Sequence, residues 1–287
     1  MLEQLLVSLV DGLLIGFVYG VAAMGLTLIW GVVRVINLSH GAIIAVAMFG
    51  AYFLSTGFGL NPYLALPFVA LGGFILGYVI YLVAVRRVID APPLSSLLAT
   101  FAVNMIIIGI ATTALTTSPY SINFSLGSLS LGPLTLPGTR IVASVAAVVV
   151  AAGLYVFLYR TGLGRSIRAV ANNRAAAELM GIPSGRILAL AFGLGTLLAA
   201  VAGGLIATIF PFTILSGGSF ELKSFVIVVL GGLGNPIGAL VGGLLLGGLE
   251  GLVPVFTAAS WVPVIEFVLF ILILLIRPTG LFAGRGE

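Results

Sequence analysis

Ser39 and His40 stand side by side in a chain with one histidine and no cysteine. Neighbouring side chains diverge on a regular helix or strand, so this pair does not read as a nucleophile and its base. One imidazole without thiols cannot build a zinc site of the usual kinds, and there is no GxxxxGK[ST] phosphate loop. Neither catalysis nor a cofactor is expected. What remains are ionisable groups in apolar surroundings: Glu250 and Glu266, with His40 near a boundary. A carboxylate at the bilayer centre costs at least ~2.5–3.5 kcal/mol on insertion scales, so it normally faces a cavity or a partner. Glu250 lies about 13 residues into its apolar run, roughly 20 Å along a helix, which suits a pore-facing or interhelix role. Glu266, a few residues after Trp261 and Pro263, is expected simply to reach the outer interface.

The elements that position these groups are membrane spans. The chain has 287 residues, 61% hydrophobic and 7% charged, with a mean hydropathy of +1.30. That composition excludes a soluble domain and predicts an all-α, polytopic transmembrane bundle in one domain, 1–287. A spanning helix needs roughly 20 apolar residues. Candidates lie at about 12–33, 41–56, 64–85, 95–117, 141–159, 187–209, 237–256 and 260–276, with a shorter piece near 222–233. The expected total is about 8–9 spans, including interrupted or half-length helices. The N-terminus has no basic region and carries Glu3 and Asp11, so it reads as a first span and not a cleaved signal.

Arginine placement sets the expected orientation, because cytoplasmic loops carry excess Lys and Arg. Arg34, Arg86, Arg87, Arg160, Arg165, Arg168, Arg174, Arg186, Arg277 and Arg285 fall on one side, leaving Arg140 and Lys223 outside. The N-terminus is then external and the C-terminus cytoplasmic, which requires an odd number of crossings. The net charge of +4 follows from this asymmetry and carries no nucleic-acid footprint.

The longest polar connection, 162–186, is expected on the cytoplasmic side. From Arg165 to Met180 it holds neither Gly nor Pro and is predicted helical, with Gly164 and Gly181 marking its ends and Pro183 discouraging helix beyond. Arg165, Arg168, Asn172, Ala176 and Leu179 then form one stripe at spacings of three or four. Such a helix suits a groove on a soluble partner; an ordinary solvated loop is the plainer alternative. The external connection, 118–140, alternates Leu129 and Leu131, then Leu134 and Leu136, around Gly132-Pro133, like a small hairpin. It is a lid, a docking surface or a plain connection.

The 39 glycines include two rows at spacing four, Gly12-Gly16-Gly20 and Gly243-Gly247-Gly251, and a shorter pair, Gly73-Gly77. Such rows let helix backbones approach closely inside a membrane. Two breaks in the apolar pattern are more specific: Arg34–Ala42, containing Asn37, Ser39 and His40, and Gly231–Ala239, containing Asn235. Interrupted helices in transporters often mark the substrate path. Asn37 and Asn235 equally suit plain helix caps. The likeness of the two breaks hints at an internal duplication.

Four stretches carry a family resemblance: GLTLIWGVVRVINLSHG (25–41), GRSIRAVANNRAAAELMGIPSGRILALAFGLG (164–195), LKSFVIVVLGGLGNPIGALVGGLLLGGLE (222–250) and LLIRPTGLF (274–282). In that order, over essentially the whole length, they resemble the LivH-type permeases of branched-chain amino-acid ABC importers. The second stretch is similar to the loop by which such permeases contact their ATPases, although Arg174 precedes Ala175-Ala176-Ala177 and Glu178 follows them, unlike the general EAA pattern. The resemblance implies ATPase coupling through Arg165, Arg168, Asn172, Ala176, Glu178, Leu179 and Gly181. It further implies a second, LivM-like permease, two cytoplasmic ABC ATPases, an external substrate-binding protein and the plasma (inner) membrane of a prokaryote. The rivals are an ion-coupled secondary transporter using Glu250, Glu266 or His40, a non-transporting scaffold subunit, and a permease of the same family serving amides or urea.

Overall fold

The computed structural model describes residues 2–115, 118–131, 134–277 and 280. Eleven α-helices are described: α1 (Leu2–Val33), α2 (His40–Phe58), α3 (Pro62–Val83), α4 (Pro93–Ala114), α5 (Gly138–Arg160), α6 (Gly162–Asn172), α7 (Arg174–Leu179), α8 (Ser184–Ala207), α9 (Ser216–Gly231), α10 (Pro236–Phe256) and α11 (Val262–Ile276). By length and composition, α1 to α5, α8, α10 and the stretch Ala259–Ile276 ending in α11 make eight helices able to cross a membrane. The all-α polytopic bundle is therefore what this sequence builds. Arg285 and the end of the 274–282 stretch lie outside the described residues.

Burial sorts the spans. The most apolar window of α8 is 83% buried, whereas that of α11 is 11% buried, so α8 is the central post and α11 a peripheral helix. The glycine rows explain how α1 meets α10. A Cβ on Gly16 would stand 2.7 Å from the Gly243 carbonyl oxygen, and one on Gly243 would stand 2.5 Å from the Gly20 backbone. The two helices touch backbone to backbone, as the spacing of Gly12, Gly16, Gly20, Gly243, Gly247 and Gly251 predicts. Gly73 and Gly77 bring α3 close to α8: a Cβ on Gly73 would stand 2.9 Å from the Thr196 carbonyl oxygen, and one on Gly77 would run into the Thr196 side chain.

The polar connections gather at two opposite ends. At one, Arg34 donates to the Ala171 carbonyl at 3.4 Å, and Arg174 pairs with Asp90 at 2.9 Å. This is the arginine-bearing face. At the other, Asp11 pairs with Arg140, and β1 (Ser128–Leu131) runs antiparallel to β2 (Leu134–Pro137) with Leu129 opposite Leu136. The hairpin matches the alternation of leucines; its Gly132-Pro133 turn lies outside the described residues.

Three expectations need correction. The short piece expected at 222–233 is α9, which starts six residues earlier, at Ser216. The helix expected to run through 165–180 breaks at Asn173, whose backbone is extended and whose side chain accepts from the Ala176 amide at 3.0 Å. That cap starts a new helix and offers the chain an alternative to continuing the old one. Lys223, expected outside, sits within the bundle with its side chain 21% exposed, because carboxylates on two other helices meet it there.

Candidate functional site: helix starts inside the bundle

After Val33 the chain turns back on itself. Arg34 closes α1 with a left-handed φ of 58° and its amide bonded to the Trp30 carbonyl, a conformation that favours Gly or Asn and here is held by a charged side chain reaching Ala171. Residues 35–39 then run back into the bundle, and α2 begins beside the middle of α1, with His40 Nε2 3.0 Å from the Ala22 carbonyl oxygen. Ala22 lies about 17 Å along α1 from Val33, roughly half the hydrocarbon thickness.

The non-helical backbone at that depth is covered by side chains. Thr100 of α4 donates to the Ile36 carbonyl at 2.9 Å, and its hydroxyl oxygen accepts from the Leu38 amide at 3.2 Å. Asn37 Oδ1 accepts from the Ser39 amide at 3.2 Å and the Ser39 hydroxyl at 2.6 Å. Asn37, Ser39 and His40 are all fully buried. Yet among the described residues Asn37 Nδ2 and His40 Nδ1 have no hydrogen-bond partner, and Thr27 Oγ1 on α1 has none either. Buried polar atoms left unpaired cost about 1–3 kcal/mol each, so three close in sequence need an explanation.

A second helix starts at the same depth. The first turn of α9 crosses that of α2: a Cβ on Gly41 would stand 2.7 Å from both Glu221 Cβ and Glu221 Oε2. The Gly41 amide donates to the Glu221 carboxylate, placing a negative group at the positive end of α2. Gly41 and Gly217 permit the crossing, since each would drive a Cβ into the other's backbone. Glu221 was missed by sequence reasoning. It stands outside the longest apolar run of α9, and its partner is a backbone amide far away in sequence.

Asn235 behaves differently from Asn37. It precedes α10 and accepts from the Gly238 amide at 3.1 Å, the geometry of an N-cap. The counterpart of the first break is therefore the start of α9, and the Asn235 break lies at the arginine-bearing end, where Gly31 approaches Gly234.

Glu250 faces helices. It pairs with Lys223 of α9, and Tyr19 of α1 donates to its other oxygen at 3.1 Å. Glu266, from the peripheral α11, lies 3.6 Å from the same ammonium with its side chain 6% exposed, so it turns inward and not to an interface. The Lys223 ammonium also stands 5.0 Å from the Tyr19 ring centroid. This four-residue cluster ties α1, α9, α10 and α11 together.

On the arginine-bearing face, Arg165, Asn172, Ala176, Glu178 and Gly181 are exposed. Leu179 and Met180 are 89% and 82% exposed, a bare apolar tip just before Gly181, whose φ of 81° suits only glycine without strain. Glu178 accepts from Ser184 and from Arg174, and both interactions, the hydroxyl first, hold its carboxyl below the usual range. Because α6 and α7 are separate, the stripe from Arg165 to Leu179 is not continuous. Arg168 bends back towards α5, donating to the Leu158 carbonyl at 3.2 Å with its guanidinium 4.6 Å from the Tyr159 ring centroid.

Residues 8–276 match a family described as the permease component of branched-chain amino acid transport systems. The chain is 32% identical to the high-affinity branched-chain amino acid transport system permease protein BraD of Pseudomonas aeruginosa, over 98% of this chain and 96% of that one. It is 28% identical to the LivH permease protein of Escherichia coli K12, over 96% and 94% of the two chains. It is also 29% identical to the ribose import permease protein RbsC of the same organism, over 81% and 73%. The chain belongs to the branched-chain amino acid transport permease family, as a multi-pass membrane subunit.

Proposed function

We propose that this chain is one wall of the solute path in an ABC importer, with the crossing of α2 and α9 as the stretch of that wall nearest the membrane centre. The observation that carries this reading is the pair of unpartnered buried donors and acceptors, Asn37 Nδ2 and His40 Nδ1, beside two helix starts. Helix N-termini and unpaired polar atoms at mid-depth are what a small polar solute, or the water that accompanies it, would complete. In this reading the opposite wall is a second, LivM-like permease. The arginine-bearing face is cytoplasmic and contacts two ABC ATPases through 162–186, chiefly through the Leu179-Met180 tip. The hairpin face receives an external binding protein, and the complex sits in the plasma (inner) membrane of a prokaryote. The substrate is a branched-chain amino acid, and relatedness to ribose permeases supports a selectivity that lies largely outside this shared scaffold.

Ion coupling is disfavoured by the same geometry. Glu250 is occupied by Lys223 and Tyr19, and Glu266 by the same ammonium, so neither carboxylate is poised over an open path. The test is uptake of labelled leucine into proteoliposomes holding the complete complex. The expected result is uptake that requires ATP on the arginine-bearing side and survives a protonophore. Uptake without ATP that collapses with the proton gradient would overturn the proposal.

A further inference from the structure

A groove with a cavity volume of about 250 Å³ opens on the outer surface between α1, α5 and α10. Met24, Val148, Tyr155, Tyr159, Ile237 and Leu240 line it, and its walls are almost entirely apolar. Along α5 it runs from Val148 to Tyr159, about 17 Å, close to half of the ~30 Å hydrocarbon core. Its end at Tyr159 lies at the arginine-bearing face, and its other end lies at mid-depth. A slot of that length and direction has the dimensions of one acyl chain in one leaflet.

What stands at the polar end of the slot is charged. Arg168 donates to the carbonyl of Leu158 and lies over the ring of Tyr159, and both residues line the groove. The bond uses only Nε; among the described residues no hydrogen bond or ion pair takes the two terminal nitrogens of Arg168. Arg160, the last residue of α5, and Arg165, one turn before Arg168, are exposed and also without an ion pair among the described residues. Arg174 on α7, by contrast, is paired with Asp90 and Glu178. Three unpaired guanidinium groups thus cap an apolar slot of one-leaflet depth, with tyrosine rings at the junction. That order of groups along the membrane normal repeats a phospholipid: apolar tail, interfacial glycerol, anionic phosphate.

We propose that this groove is a binding site for an anionic phospholipid of the arginine-side leaflet, with one acyl chain in the slot and the phosphate on Arg168. The stacking of Arg168 on Tyr159 holds the planar donor fork in place before the lipid arrives, which lowers the ordering cost of binding. It also gives Arg168 a task at the membrane edge, apart from partner contact.

The test is native mass spectrometry of the assembled complex in mild detergent, with phosphatidylglycerol or phosphatidylcholine of identical tails added. Wild-type complex should retain the anionic lipid about fivefold better than the zwitterionic one, the worth of one basic group at the surface. Arg168→Gln should abolish that preference, and Ala152→Phe, which fills an exposed position in the groove, should lower retention of both lipids. Arg86→Gln, on the same face but away from the groove, should retain lipid as wild type does. Retention of the fivefold preference by Arg168→Gln would overturn the proposal. So would unchanged lipid retention in Ala152→Phe together with loss of a protein subunit, which would assign the groove to a protein contact. If Ala152→Phe fails to assemble, the Arg168→Gln arm decides alone.

Discussion

Glu221 and Lys223 sit two residues apart on α9 and belong to different worlds. At 100° per residue they project about 200° apart, almost to opposite sides of one helix. Glu221 reaches the first turn of α2, where Asn37 and His40 leave polar atoms unpaired. Lys223 reaches away, to Glu250 and Glu266, where each charge has an opposite charge within 3.6 Å. Both regions are polar and buried. Glu266 Oε1 also lacks a hydrogen bond among the described residues, but it has a counter-charge 3.6 Å away, whereas Asn37 Nδ2 and His40 Nδ1 have none. In a membrane protein the presence of charge is therefore a poor guide to the path. A charge answered by its own fold is a rivet between helices; a neutral polar group left unanswered is a place for something to arrive.

Lys223 separates the two sides of α9 most sharply. Lys223→Leu leaves two carboxylates buried together without a counter-ion, which should destabilise the subunit by about 3–5 kcal/mol and abolish assembly. Replacing the three charges together, as Lys223→Met, Glu250→Met and Glu266→Met, should restore assembly, measured by complex yield and melting in detergent, with uptake close to wild type. If the triple variant assembles but does not transport, the cluster belongs to the path and the distinction between the two sides of α9 fails.

Gly16→Leu tests the frame on which both regions hang. With the Gly243 carbonyl 2.7 Å from the new Cβ, the variant should force α1 from α10 and cost about 1–3 kcal/mol or more. Melting and assembly should both fall. Gly109→Leu, on α4 with open space beside it, should leave both unchanged.

Asn37→Leu should show the opposite pattern. It removes the acceptor for Ser39 and the unpaired Nδ2 atom, and should reduce uptake about tenfold, some 1.4 kcal/mol, while the complex still assembles. Uptake is measured at saturating binding protein, so that capture at the outer face does not limit. Wild-type uptake would return Asn37 to a purely structural turn.

The smallest effect is expected at Asn173→Ala. Loss of the cap on α7 should cost about 0.5–2 kcal/mol locally and let α6 and α7 merge into one helix. Coupling, read as substrate-stimulated ATP hydrolysis, should fall modestly because the Leu179-Met180 tip is re-aimed. Leu179→Ser should lower it further, and unchanged hydrolysis in both would remove the tip from the coupling surface.

Much of the frame was legible in the sequence because it depends on local spacing. The glycine rows announce the α1–α10 approach, and the paired leucines at 129, 131, 134 and 136 announce the hairpin. The Arg34–Ala42 break was visible as polarity in an apolar run, although not that it plunges half-way into the bundle. Long-range partners were not legible. Lys223 looked external because nothing in sequence says that Glu250 and Glu266 reach it from other helices. Glu221 was hidden because it answers the backbone of Gly41. The break at Asn173 carried a signal, two consecutive asparagines, which composition favouring helix on both sides obscured.

In the proposed function, water and solute pass the start of α2 and not the Lys223 cluster. A chain without cysteine allows that to be read directly. Ser39→Cys and Tyr19→Cys each place one thiol in one region, and the assembled complex is exposed to a small charged thiol reagent during ATP-driven turnover with substrate-loaded binding protein. Ser39→Cys should react during turnover and be protected when turnover is blocked, while Tyr19→Cys stays unreactive in both conditions. Labelling of Tyr19→Cys with Ser39→Cys inert would contradict the account and put the path on the other side of α9.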